Sequence, residues 1–142
     1  MLGIAQPTPA AGIPATGTRR YTGTLLAHIE QDAGSFVIGT LVIDADFAGG
    51  TMSGSLSLEH VCFMGCAYPR MSYPLSNFVY ARGATEFSGS TTTTGAPSPG
   101  SFSGRFAGPA AEELIISFRS PYRDPDRNIW VSISGVALGR QS

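Results

Sequence analysis

The chain has 142 residues, of which 42% are hydrophobic and 13% charged, with a net charge of −1. That length supports one domain with a real core, and the apolar content excludes a wholly disordered chain. All nine basic residues are arginines, spread out except for adjacent Arg19 and Arg20, which argues against a nucleic-acid surface and excludes lysine-based catalysis.

Residues 1–18, MLGIAQPTPAAGIPATGT, lack the charged start and continuous apolar core of a signal peptide. Pro7, Pro9 and Pro14 predict a flexible, extended lead-in, leaving 19–142 as the folded domain. No apolar run reaches the roughly 18 residues of a membrane-spanning helix.

From residue 20 onward apolar and polar side chains alternate with a period of two, the signature of half-buried strands. Leu41, Ile43, Ala45 and Phe47 share one face while Asp44 and Asp46 take the other; Gly49-Gly50 turns the chain, and Thr51–Leu58 alternates again. The pattern predicts eight strands, at 20–29, 35–47, 51–59, 75–82, 84–92, 100–107, 114–120 and 128–138. Short connections imply antiparallel neighbours. Gly54, Gly104 and Gly135 fall on the apolar side, where a tightly curved wall needs positions without a Cβ. The expected fold is therefore all-β, a single eight-stranded antiparallel up-and-down barrel. One short helical turn is expected near 109–113, where Pro109 precedes Ala110-Ala111-Glu112-Glu113.

Two segments interrupt the alternation: 59–74, EHVCFMGCAYPRMSYP, and 120–128, SPYRDPDRN. Long loops on a rigid barrel are the usual seat of binding. In the first, Cys62 and Cys66 have a spacing that closes a small disulfide loop in an oxidising compartment, with two reduced buried thiols as the alternative. His60, Met64, Tyr68, Met71 and Tyr73 include side-chain types that ligate haem iron, while His60, Cys62 and Cys66 make three zinc ligands with no evident fourth. The same aromatic and sulfur side chains equally suit packing over a barrel mouth or contact with a protein. No metal site is assigned.

Catalytic patterns are lacking. The chain carries no nucleophile elbow, zincin helix, phosphate loop or dinucleotide fingerprint. His28 reads as a strand residue. Asp124-Pro125-Asp126-Arg127-Asn128 starts like a calcium loop but lacks its glycine and closing glutamate, and Arg127 would oppose a cation. Glu112 and Glu113, being adjacent on a helical turn, diverge by about 100° and would not face one site. No enzyme is expected.

Gly104-Arg105-Phe106, Gly108-Pro109 and Ala111-Glu112-Glu113 form a G-x-F-x-G-P-x-A-x-E pattern ahead of an apolar strand. It resembles the C-terminal signature of the transferrin-binding-protein-like β-barrel family of bacterial surface lipoproteins and solute-binding relatives. Pro14–Thr18, Tyr21–Thr24 and Phe47–Leu56 are similar to earlier parts of that barrel, so the resemblance covers roughly 14–139. Ala107 stands where the family often has an aromatic, Ile115-Ile116 replaces glycines, and the two cysteines lie inside the domain rather than at a lipid-anchored start.

The resemblance implies a non-catalytic binding protein at the outer membrane, on the cell surface or secreted, with an outer-membrane receptor or translocon as a possible associate. The ligand is left open between a protein and a small molecule, haem among them; a structural envelope module is the further alternative. The expected contacts are His60, Met64, Tyr68, Arg70, Met71, Tyr73, Tyr122 and Arg123, on a monomer.

Overall fold

The computed structural model describes residues 6–30, 32–61, 71–93, 95–124 and 128–142, with the side chains of 32–35, 60 and 61 outside that description. Eight strands follow one another: β1 Thr18–Ile29, β2 Asp32–Asp46, β3 Thr51–Val61, β4 Met71–Val79, β5 Glu86–Thr91, β6 Gly100–Ala107, β7 Glu113–Asp124 and β8 Ile129–Gln141. Each pairs antiparallel with the next, and β1 pairs with β8 from Tyr21↔Gln141 to Ile29↔Ile133. The β1–β8 pairing closes the sheet on itself, so the up-and-down barrel read from the alternation is the observed fold.

The inward positions fill the interior. Tyr21, Phe47, Phe87 and Tyr80 surround Phe106 with ring centroids 5.3–6.0 Å away, and Phe106 is fully buried. Leu41, Ile43, Leu56, Leu114 and Ile116 complete this layer. Gly54, Gly104 and Gly135 do look inward. A Cβ on Gly104 would stand 2.5 Å from the Phe87 ring, and one on Gly135 would stand 2.4 Å from the Leu26 carbonyl oxygen. The wall closes onto its contents there, leaving no room for a methyl.

β4 departs from strict alternation. Tyr73 and Leu75 are buried, Asn77 takes a positive φ of 52°, and pairing with β5 shifts register between Ser76 and Val79. This bulge moves the inward set to Phe78 and Tyr80 and leaves Val79 exposed.

One end of the barrel is closed by residues before β1 and by the β6–β7 turn. Residues 108–112 form a tight turn, whereas the single helical turn among the described residues, of 3-10 type, lies at Ala10–Gly12. Four helix-formers are too few to nucleate a helix, and Ala111, at φ 60°, has its carbonyl taken by the Tyr21 hydroxyl at 2.6 Å and by Arg19. The lead-in expected to be flexible is held from residue 6 onward. Thr8 N–H donates to the Phe106 carbonyl, Gly108 N–H donates to that of Gln6, and the Thr8 hydroxyl donates to that of Gly108. Ile13 packs against the core.

Candidate interaction surface at one barrel end

At the opposite end, β4, β7 and β8 outrun the short β5 and β6. Pairing of β6 with β7 stops at Ser101↔Arg119, yet β7 continues to Asp124 against Ile129 of β8. Beyond residue 119 β7 is therefore paired on one side only, which is where Pro121 is tolerated within a strand. The segment 120–128, expected to be a loop, is thus strand as far as Asp124.

This extension places the anticipated residues on both faces of the wall. Tyr73 and Tyr122 point inward, are almost wholly buried, and stack with centroids 6.4 Å apart and planes 24° from parallel. Burial, and then the neighbouring Asp124 carboxylate, push the Tyr122 phenol up to about 12; burial and Tyr122 push Tyr73 up as well. Both are neutral at any physiological pH. Ser120 and Thr91 share a buried hydrogen bond of 3.0 Å beside them, so the inward lining turns polar towards this end. Met71 is half-buried against the core.

Arg123 points outward. Its guanidinium lies 5.7 Å from the Trp130 ring centroid and donates to the Asn128 side-chain oxygen at 2.9 Å. Arg123 and Trp130 are direct cross-strand partners, while Ile129, 46% exposed, takes the inward phase at the rim opposite buried Asp124. Asn128, at φ 57°, ties the chain back through its N–H to the Asp124 carbonyl at 2.8 Å. An indole under a guanidinium offers a contact surface that is apolar and cationic at once. Of the other anticipated residues, His60 pairs with Val37 through its backbone, but its side chain lies outside the described set. Met64, Tyr68, Arg70, Cys62 and Cys66 lie outside the described residues.

Trp130 and Ile129 had no place among the sequence expectations. The usable signal was the register: the chain's one tryptophan falls on the polar, outward phase of β8, where a large aromatic is out of place.

Among the described residues, three guanidinium–carboxylate pairs lie on the outer surface of β1, β2, β7 and β8 and on Glu30 just after β1: Arg20–Asp44 at 2.9 Å, Arg119–Glu30 at 2.8 Å and Arg140–Glu113 at 2.8 Å. Arg119, joined by the Ser134 hydroxyl, lowers the Glu30 carboxyl to about 2. Glu112 accepts the Ala110 N–H, which lowers its pKa, and this use is local to the turn.

No protein-family profile matches the chain, and no curated protein matches it by sequence. Solved structures do match. A transferrin binding protein B from Haemophilus parasuis Hp5, the vaccine-antigen double mutant Tyr-167-Ala and Trp-176-Ala, superposes with a TM-score of 0.62 at 23% identity, over 95% of this chain and 28% of that one. Its Trp-176-Ala mutant gives 0.55 at 20% identity, over 95% and 29%. The isotype 1 transferrin binding protein B from serogroup B Neisseria meningitidis gives 0.61 at 18% identity, over 97% and 28%. The chain spans less than a third of the length of these proteins, and at such identities the likeness is one of fold.

Proposed function

We propose that this chain is a non-catalytic binding protein, exported to or displayed on a bacterial surface, that captures a protein partner with the barrel end bearing Arg123, Ile129 and Trp130. The anticipated residues of the neighbouring connection, His60, Met64, Tyr68 and Arg70, belong to the same reading. The observation that carries it is the Arg123–Trp130 pair, 5.7 Å from guanidinium to ring and held outward by strand pairing. Tryptophan and arginine are the residue types that dominate protein-interface energetics. Support also comes from the solved structures of like fold, which are transferrin binding proteins.

Immobilised transferrin is the first probe, and hemin the second. In this reading the chain binds the protein probe, and Trp130→Ala combined with Arg123→Ala weakens binding by about 10- to 100-fold, as loss of a small hot spot does. The thermal transition of the double variant stays near that of the parent. Unchanged affinity removes this end from the assignment. Binding of hemin with a Soret shift lost in His60→Ala, and no binding of transferrin, replaces protein capture by a small-ligand carrier.

A further inference from the structure

The outer face of β2, β1 and β8 is not polar throughout. Leu26, Phe36, Ile38, Val136 and Leu138 point outward there and are 38–59% exposed. They are not scattered. Leu26 sits directly between Ile38 on β2 and Val136 on β8. Leu138 is two residues along from Val136, and Phe36 is two residues along from Ile38, so both share that face. Half-buried Ile115 of β7 lies opposite Leu138 and extends the stripe on its other side. Single exposed apolar residues on a soluble surface are ordinary, whereas a contiguous patch marks a contact.

We propose that this face binds a second copy of the same chain, forming a two-fold dimer with the β2–β1–β8 surfaces opposed. The charges around the patch favour a like partner. Glu30–Arg119 borders one end of the stripe, and Arg20–Asp44 and Arg140–Glu113 border the other. Each of these six charges is matched within the face, so the rim has little to offer a strongly acidic or basic partner. Two copies of a rim balanced in this way meet without like-charge repulsion. Among the described side chains, the other ionisable groups on the face are His28, in the row of Phe36 and Ser134, and Glu59, opposite Ile38 at the β3 margin.

The dimensions agree with such an interface. Four strands, counting β7, about 4.8 Å apart, with residues 114–118 of β7 and 21–29 of β1 between the bordering ion pairs at about 3.3 Å each, give a face of roughly 19 by 17–30 Å. That is on the order of 500 Å² in projection, before side-chain relief is counted, against about 800 Å² of accessible surface per partner in a standard interface. An apolar centre inside a polar rim is also the usual anatomy. The centre of the patch, Leu26 with Val136 and Leu138, uses none of the residues of the Arg123–Trp130 pair, so the proposal does not rest on the protein-capture reading; the sequence reading expected a monomer.

Sedimentation of the full chain from micromolar to millimolar concentration tests this. The expected result is a reversible shift from the 14.8 kDa chain to a species of twice that mass. Leu26→Glu and Val136→Glu each abolish the shift, while Ser72→Glu, outward on β4, leaves it in place. Amide resonances of β1, β2 and β8 move on dilution of the parent chain, a readout that needs no variant. A single monomeric species throughout the range overturns the proposal. So does a dimer that persists in Leu26→Glu, or one whose dilution shifts map to other strands. Adsorption to neutral phosphatidylcholine vesicles by a chain that stays monomeric assigns the face to lipid and equally overturns it.

Discussion

Gly23 and Gly139 face each other where β1 meets β8, the seam that closes the barrel. Replacing Gly23 with alanine sets two effects against each other. Alanine narrows the unfolded ensemble, worth about 0.4–1 kcal/mol in favour of folding where the native site accepts it. Here the added Cβ would stand 1.7 Å from the Leu138 carbonyl oxygen and 2.8 Å from the Gly139 Cα, all backbone. An ordinary carbon–oxygen contact needs about 3.3 Å, so one strand must retreat by roughly 1.5 Å. A retreat of that size breaks at least one seam hydrogen bond at about 1–3 kcal/mol, on top of about 1–3 kcal/mol for overpacking. The net expectation is a loss of about 2–4 kcal/mol. An unfolding entropy of about 2.1 cal/mol/K per residue gives this chain about 0.3 kcal/mol/K, so Tm falls by roughly 7–13 °C. Gly83→Ala is the matched control. Its φ is +84° but nothing lies within 4 Å of the new methyl. Only the left-handed backbone penalty of about 1–2 kcal/mol applies there. Thermal denaturation followed by circular dichroism measures both. A Gly23→Ala transition within about 2 °C of the parent, or a Gly83→Ala protein that melts lower than Gly23→Ala, refutes close strand approach as the role of the glycine pair.

Phe106→Ala removes a fully buried ring that touches four other aromatics, and a loss of about 3–5 kcal/mol, or roughly 10–17 °C in Tm, is expected from calorimetry. Glu30 offers a test of the surface electrostatics. Its folded pKa, about 2, lies below the ordinary 4.5, so its pairing adds stability above the unfolded value. That contribution fades as pH falls from about 4.5 towards 2. Carboxyl NMR titration should place the Glu30 midpoint near 2, and Arg119→Ala should return it towards 4.5; a normal midpoint in the parent chain removes the Arg119–Ser134 clamp.

Most of the barrel was readable because alternation is a local property. From Leu41 to Leu58 each residue's face follows from its parity alone, and the turn at Gly49-Gly50 is written in its glycines. The errors occur where a residue's partners lie far along the chain. Pro121 suggested a loop; it is a strand residue because β6 stops early and leaves that stretch of β7 with one neighbour. Pro74 and the Asn77 bulge hid the first half of β4 for a similar reason. The Ala-Ala-Glu-Glu stretch favoured a helix by composition, but Tyr21 and Arg19, about 90 residues earlier, claim its carbonyls. Of the candidate surface, Arg123 was anticipated and Trp130 was not. Tyr73 and Tyr122 were expected as loop contacts, but strand phase turns them inward and buries them.

The sealed end also fixes how the molecule can be held. Residues 6–17 lie across it, and at the other terminus Gln141 N–H donates to the Glu112 carbonyl and Ser142 N–H to that of Arg20. The first and last described residues, Gln6 and Ser142, therefore lie at the same pole. A tether joined to either one, whether a linker on a sensor chip or a fused carrier, suspends the barrel like a lantern from its hook, with Arg123 and Trp130 at the far, outward-hanging tip.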